Sequence, residues 1–192
     1  MTKKFLKSLL ILTIFMVLNE AQANELIDTL KITDFEFKFW IGHQKNLKVN
    51  HSYCLLGVGF FRTPIAKNTD SLISTWIENH PDAIVIPVYT FGPTMNIDPN
   101  SKQTYCWVVD KSDTLNIHLV RQGAVPGGTM QRPRTSKEMS KKERKTYHDL
   151  PNEEVHVSDQ AYLDFLEKIK IAEEYARKSK LGIYADKEID TN

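Results

Sequence analysis

The stretch that decides the fold runs from Thr104 to Gln122 and reads TYCWVVDKSDTLNIHLVRQ. Cys106 to Val109 is rich in residues that favour β-strands. Asp110 to Asp113 is a cluster of turn residues. The apolar residues between Leu115 and Val120 recur at helical spacing, and Gly123 stands where a helix commonly ends. The stretch therefore predicts a strand, a tight turn and a short helix in immediate succession.

Upstream of this stretch, the pattern predicts mostly strands. Interior glycines in a strand indicate a bend or bulge, and a proline in a strand indicates an edge or bulge position. We predict a strand with alternating apolar residues over 35–41, a turn over 42–46 and a second strand that opens at 47–49. A third strand follows over 53–61 and contains Gly57 and Gly59, and a helix follows between Asn68 and His80. A further strand over 83–91 contains Pro87, and a loop covers 92–103.

Downstream, an irregular segment is predicted from Pro126 to about Val157, with a short charged helix inside it. Ser158 or Asp159 is placed to cap a last helix, because both side chains accept hydrogen bonds from the first turn. One face of that helix is apolar, formed by Tyr162, Phe165, Leu166, Ile169, Ala172 and Ala176. The order of elements predicts one domain.

The N-terminus has the three parts of a secretory signal peptide. Three lysines precede an apolar run from Leu9 to Leu18, and Ala21-Gln22-Ala23 is a cleavage site. The alternative is an uncleaved anchor, but the apolar run is short for a membrane span. We therefore predict a signal peptide over 1–23, a domain over 24–186 and a tail over 187–192. The mature protein is expected to be periplasmic or secreted, without stable membrane insertion.

The net charge and the two cysteines of the exported part indicate which partners and which covalent links to expect. Three lysines and one glutamate precede residue 24, which leaves a net charge of about −1. A dedicated nucleic-acid binder is expected to be strongly basic. Cys54 and Cys106 are the two cysteines. In an oxidising compartment they are expected to pair, and the alternative is two separate buried thiols.

The segment Leu115 to Ala124, after a strand that ends in Asp110, resembles the core of staphylococcal-nuclease-like (thermonuclease-like) domains. Two further segments carry the resemblance: Leu55-Leu56-Gly57-Val58 followed by Thr63-Pro64, and Ala172 to Arg177 followed by Leu181-Gly182-Ile183-Tyr184. The resemblance implies an α+β fold, a five-stranded OB-fold barrel with about three helices. It gives Asp110, Arg121 and Gly123 a structural role. It also makes the strands of Cys54 and Cys106 neighbours, which is compatible with a disulfide.

The family hydrolyses phosphodiesters with Ca²⁺, two aspartates, a glutamate and two arginines. Clustered carboxylates bind the hard cation, and the guanidinium groups neutralise the developing charge on the phosphate. At the matching positions this chain has Arg62 instead of an aspartate, Ile65 instead of the glutamate, Gly57 instead of one arginine, and Lys102 or Gln103 instead of the other. No metal ligand is carried over. The remaining catalytic candidates are weak, and they are Lys102, Asp34, Asp70 and Asp98.

The alternative for these carboxylates is helix capping and solvated surface.

The segment 132–148 carries seven basic residues and two acidic ones. It is either a solvated surface loop or an electrostatic contact for the phosphates of a nucleic acid or for an acidic protein. Its candidate contact residues are Arg132, Arg134, Lys141, Lys142, Arg144 and Lys145.

Two functional hypotheses follow. The first is an exported thermonuclease-like domain with a degenerate active site, acting as a non-catalytic binding or structural module. The second is an active metal-dependent DNA or RNA endonuclease with a rearranged site, which would need Ca²⁺. Whether the protein is an enzyme stays open at this point.

Overall fold

A computed structural model of the chain describes residues 30–46, 50–59, 62–94, 98–111, 113–147 and 153–185. Within these ranges the fold is α+β, with an open mixed sheet of seven strands and with four α-helices. The strands are β1 (Phe35–Lys38), β2 (Ile41–Gln44), β3 (His51–Leu55), β4 (Ile84–Phe91), β5 (Lys102–Asp110), β6 (Asp113–Thr114) and β7 (Glu154–Val155). The helices are α1 (Thr69–Asn79), α2 (Leu115–Arg121), α3 (Lys141–Tyr147) and α4 (Asp159–Lys178). The predicted signal peptide and tail lie outside the described residues.

The sheet has the order β1-β2-β3-β5-β4-β7, and β6 pairs with β5. β3 and β5 run parallel, and the other neighbours are antiparallel. The residue before the short helical turn that precedes β1, Lys31, forms an isolated bridge with Ile84 at the start of β4. On the side of β4 that faces away from β5, the first half of the strand therefore contacts the segment before β1, and the second half pairs with β7.

The first part of the sheet differs from the sequence prediction. The predicted strand over 35–41 is a hairpin, in which β1 and β2 are joined by a two-residue turn at Phe39 and Trp40. The predicted turn over 42–46 contains most of β2. An apolar residue, Phe39, occupies the turn position with a positive φ of 54°, so the alternation of apolar residues is not interrupted at the turn. Asparagine or glycine is the usual residue at such a position, so the sequence carries no turn signal there.

The strand predicted over 53–61 begins earlier and is shorter, because β3 covers His51–Leu55 and a turn with a positive φ at Gly57 follows it. The strand predicted to open at 47–49 lies outside the described residues. The predicted helix between Asn68 and His80, the strand over 83–91 and the charged helix downstream are confirmed as α1, β4 and α3. Helix α1 ends before His80, and the register of β4 shifts between Pro87 and Tyr89, as the proline indicated. The decisive stretch forms β5, a turn, β6 and α2, and Gly123 follows α2 with a positive φ of 64°.

Helix α4 packs against α2 and against Trp107 of the sheet. Its first turn is capped by Ser158, whose side chain accepts a hydrogen bond from the backbone N–H of Ala161 at 3.2 Å. The ring of Phe165 packs on that of Trp107 in β5, with centroids 4.5 Å apart. Five of the six residues predicted to form the apolar face are buried, and Leu166 is half-buried. Burial of this stripe holds the helix against the sheet because removing apolar area from water is favourable.

Candidate functional site

Four polar side chains from neighbouring strands form a continuous hydrogen-bonded row, which we call the histidine–threonine row. His51 Nε2 lies 2.7 Å from Thr104 Oγ1, and Thr104 Oγ1 lies 2.8 Å from Thr90 Oγ1. Thr90 Oγ1 lies 2.9 Å from Nε2 of His156. The row thus connects two imidazole rings through two hydroxyl groups.

The strand register brings these groups to one face of the sheet. Thr90 and Thr104 lie directly opposite each other in the β4–β5 pair. His51 lies opposite Lys102, two residues before Thr104 on the same face of β5. The backbone N–H of His156 donates to the carbonyl of Val88 at 3.0 Å, which extends the short β4–β7 pairing by one residue.

The centre of the row is buried and its ends reach solvent. Thr90 and Thr104 are 5% and 1% exposed. His51 is half-buried and stacks on Tyr53, whereas His156 is exposed. A hydroxyl group buried in this way requires a hydrogen-bond partner, because an unpaired one costs free energy. The two threonines meet that need through each other and through the imidazoles.

Burial is the main cause that lowers the pKa of both histidines in the row below the usual value. For His51, the positive charge of Lys102 acts in the same direction, Glu154 opposes it, and His43 lowers the pKa slightly further. For His156, the Glu154 carboxylate raises the pKa, and Lys102 lowers it. Lowering the pKa of an imidazole favours its neutral form, so burial in the row favours the neutral form of both rings.

Lys102 is the one candidate catalytic residue that lies beside the row. Its Nζ lies 3.4 Å from a carboxylate oxygen of Glu154, and both side chains are about half exposed. An exposed pair of this kind contributes little to stability. It does place one cation and one anion next to the two imidazoles.

The three candidate aspartates, Asp34, Asp70 and Asp98, occupy three different places in the fold. Asp34 lies at the open end of the β1–β2 hairpin, where its carbonyl accepts from the N–H of Lys45. Asp70 lies near the turn of that hairpin and accepts from the N–H of Phe39 at 3.2 Å. The four residues of β1 lie between Asp34 and Phe39, and the five residue steps span about 16 Å of extended chain. Asp98 accepts from a backbone N–H two residues ahead in its own loop.

The described residues contain no group of three or more His, Cys, Asp or Glu side chains that could hold a metal ion. The carboxylates of Asp70 and Asp98 have local partners that account for their positions, as turn and loop acceptors commonly do.

Arg132, predicted as a phosphate or partner contact, is instead a buried anchor. Its guanidinium makes two hydrogen bonds of 2.7 Å to the Glu138 carboxylate and stacks over the ring of Tyr162 at 4.3 Å. Its side chain is 3% exposed. It also holds the pKa of Glu138 at about 2. The prediction failed because a basic run in sequence does not distinguish a residue that turns inward.

The other predicted contacts of this segment lie at the surface. Arg134 is exposed and pairs with Glu143 at 2.5 Å, and Arg144 donates to the carbonyl of Ser136. The three lysines of α3 are exposed, namely Lys141, Lys142 and Lys145. These residues present positive charge on one short helix.

The predicted structural motif has a further member, Asn116. This residue is completely buried, and its side-chain amide donates to the carbonyls of Leu56 and Cys106. Its Oδ1 accepts from the N–H of Val108 at 3.1 Å. Arg121 stacks on the ring of Tyr175, with its Cζ 4.7 Å from the ring centroid. These contacts fasten α2 to the sheet and to α4.

The predicted disulfide is not formed, and both cysteines are free and buried. The two strands are neighbours as expected, but Cys54 lies opposite Tyr105 and Cys106 lies opposite Leu55. A one-residue offset directs the two side chains to opposite faces of the sheet. The Cys106 thiol instead points to the carbonyl of Cys54 at 3.5 Å. Burial raises the pKa of Cys54 to about 12, so the thiol is protonated and unreactive.

Sequence reasoning missed the row because its members are far apart in the chain and are ordinary strand residues. Nothing in the sequence pattern marks His51 or His156 as a site residue. No spacing rule joins positions 51, 90, 104 and 156. Only the strand register, which depends on long-range pairing, brings them together.

Comparison with protein-family models found no match to this chain, and comparison with curated proteins found none either. Among the residues that the structure describes, no helix combines the length and apolarity needed to cross a membrane.

Proposed function

We propose that the chain is a divergent thermonuclease-like domain whose strands β1 to β5 form an OB-type barrel. The contact between the two ends of the five-strand order supports this proposal. The N–H of Ile32 donates to the carbonyl of Ala83 at 2.8 Å, and the N–H of Val85 donates to the carbonyl of Leu30 at 2.7 Å. Such bonds between the segment before β1 and the start of β4 are what closing a barrel requires.

The proposed function is that of an exported, non-catalytic binding or structural module. The observation that carries it is the separation of Asp34 and Asp70, the two candidate catalytic carboxylates nearest the strands that would hold the site. Calcium requires several oxygen ligands at 2.3–2.6 Å. Two carboxylates at opposite ends of one hairpin do not meet that requirement together. Export is inferred from residues 1–23, and the expected compartment is the periplasm or the exterior.

The exposed cations of α3 are the proposed contact for a nucleic acid or an acidic protein. Arg132 no longer belongs to that set because it is buried against Glu138. Arg134 pairs with Glu143 and Arg144 donates to the carbonyl of Ser136, so the proposed contact is formed by the three exposed lysines of α3, Lys141, Lys142 and Lys145. Together they would contact about three phosphates. For single-stranded nucleic acid, three such contacts predict that affinity falls about 20-fold between 50 and 200 mM salt.

The α3 contact is tested by fluorescence anisotropy with a labelled single-stranded oligonucleotide and, separately, a labelled acidic peptide. The triple variant Lys141→Gln, Lys142→Gln, Lys145→Gln should lose the salt-dependent binding. A matched triple variant on α4, Lys168→Gln, Lys170→Gln and Lys178→Gln, removes the same charge from another exposed surface and should retain it. Equal losses in both variants would assign the effect to net charge and would reject α3 as the contact.

The competing function is a metal-dependent phosphodiesterase with a rearranged site. The position of Lys102 beside two histidines is the observation that favours it. The two functions are distinguished by incubating the purified protein with single-stranded DNA and with RNA, in calcium and in excess chelator. The proposed module leaves both substrates intact. Cleavage that needs calcium, stops with chelator and falls at least tenfold in Lys102→Gln would establish the phosphodiesterase instead.

A further inference from the structure

The histidine–threonine row has a property that goes beyond the proposed binding function and does not rest on it. We propose that His51, Thr104, Thr90 and His156 form a proton relay, so that the two imidazoles act as a single acid–base site that crosses strands β3, β5 and β4. The geometry that carries the proposal is the unbroken series of three short contacts, from 2.7 to 2.9 Å, between four groups that can each donate or accept.

The number of protons in the row fixes the state of the rings. Three hydrogen bonds require three donors, and the two hydroxyl groups supply two of them. The third donor must be an Nε2–H of either His51 or His156. If both neutral rings carried Nε2–H, one donor would be surplus, and if neither did, one contact would lack a proton. The two rings therefore hold opposite tautomers.

The row can carry a proton from one ring to the other without moving a heavy atom. Suppose that His51 donates through Nε2 and that its Nδ1 accepts a proton from outside. The Nε2 proton passes to Thr104, the former Thr104 proton passes to Thr90, and the former Thr90 proton passes to Nε2 of His156. His156 then releases its Nδ1 proton. One proton enters, one leaves, and every hydrogen bond is restored with reversed polarity.

The surroundings favour one proton on the pair and disfavour two. The first proton can bind to Nδ1 of the ring that already donates, and all three hydrogen bonds remain. The second must bind to Nε2 of the accepting ring, which breaks one bond and places two cations on a partly buried row. The charged or titratable neighbours are Lys102 and His43, which oppose protonation, and Glu154, which favours it. Two groups coupled in this way titrate in two separated steps that belong to the pair.

The proposal is tested on the full protein by ¹H–¹⁵N correlation through the imidazole rings, which separates the two neutral tautomers and follows each titration. Above the pH at which both rings are neutral, the Nε2–H fractions of His51 and His156 should add to one. Two rings with the same tautomer would overturn the relay. This measurement needs no variant, so it decides even if a substituted protein fails to fold.

A matched pair of variants tests the coupling itself. Thr90→Ser keeps the hydroxyl group and should keep the two-step titration of both rings. Thr90→Val removes it at nearly the same volume, and each ring should then titrate in one independent step. Independent single-step titration in the unsubstituted protein, or unchanged coupling in Thr90→Val, would show that the hydroxyl groups do not connect the rings.

Discussion

Replacing Asn116 by alanine should remove a large part of the stability of the fold. The side chain is inaccessible to solvent and makes three hydrogen bonds to the backbone: it donates to the carbonyls of Leu56 and Cys106 and accepts from the N–H of Val108. These groups belong to β5 and to the chain just after β3. Asn116 thus fastens the second residue of α2 to both of the parallel strands.

The expected magnitude follows from the groups left without partners. A buried donor or acceptor that loses its partner costs about 1–3 kcal/mol. The Cys106 carbonyl retains a second bond, from the N–H of Leu56 at 2.8 Å, so its loss is the smallest of the three. The three losses together are about 3–5 kcal/mol. A natural domain is stable by about 5–15 kcal/mol, so this loss is a large fraction of the total.

Urea denaturation followed by circular dichroism measures this loss. With a slope of about 2 kcal/mol per molar urea, the midpoint of Asn116→Ala should fall by about 1.5–2.5 M. Asn116→Asp should be at least as damaging at neutral pH, because a carboxylate oxygen would face two carbonyl oxygens. The control is Asn79→Ala at the exposed end of α1, where a change within about 0.5 kcal/mol is expected. A loss below about 1 kcal/mol in Asn116→Ala would refute the proposed fastening role.

Three further predictions concern the acid stability, the thiols and a glycine. Because Arg132 lowers the pKa of Glu138 from 4.5 to about 2, the pair stabilises the fold above the usual pKa and loses this effect as pH falls from about 4.5 to 2. Melting temperatures recorded across that range should depend less on pH in Glu138→Gln, and an unchanged slope would contradict the contact. The two buried thiols should resist a thiol reagent in the native protein, and both should react in urea. A reducing agent should leave the melting temperature unchanged, whereas a disulfide would stabilise the fold by about 2–4 kcal/mol and its reduction would lower the melting temperature. In urea denaturation, Gly123→Ala should destabilise the fold clearly more than Gly128→Ala. Both glycines have a positive φ, but only at Gly123 would a methyl group press against the backbone of the segment after α4. Equal losses of stability in the two variants would show that the loss comes from the positive φ alone and not from this close contact.

Local patterns were sufficient to predict the elements whose residues interact with near neighbours. The stretch from Thr104 to Gln122 forms the predicted strand, turn and helix, because its turn residues and its apolar spacing agree. Helix α4 begins at its predicted cap and buries most of its predicted face. In both places each residue favours the same local structure, so the long-range context does not have to override it.

The features that depend on long-range pairing could not be predicted from those patterns. The one-residue offset between the strands of Cys54 and Cys106 decides whether their thiols meet, and no sequence spacing reveals it. Arg132 turns inward because Glu138 and Tyr162 receive it, and these partners come from a following turn and from α4. The candidate site has the same origin, since strand register alone assembles its four members.

The proposal of a divergent, non-catalytic thermonuclease-like domain requires that the protein has no specific calcium site. The most direct measurement is the melting temperature of the protein with and without 10 mM calcium chloride, compared with magnesium chloride at equal ionic strength. A site with a dissociation constant of about 0.1 mM would stabilise the fold by about 2.7 kcal/mol and raise the melting temperature by about 5–10 °C. The account predicts a change below about 1 °C that is equal for the two salts. A calcium-specific rise of several degrees would contradict it.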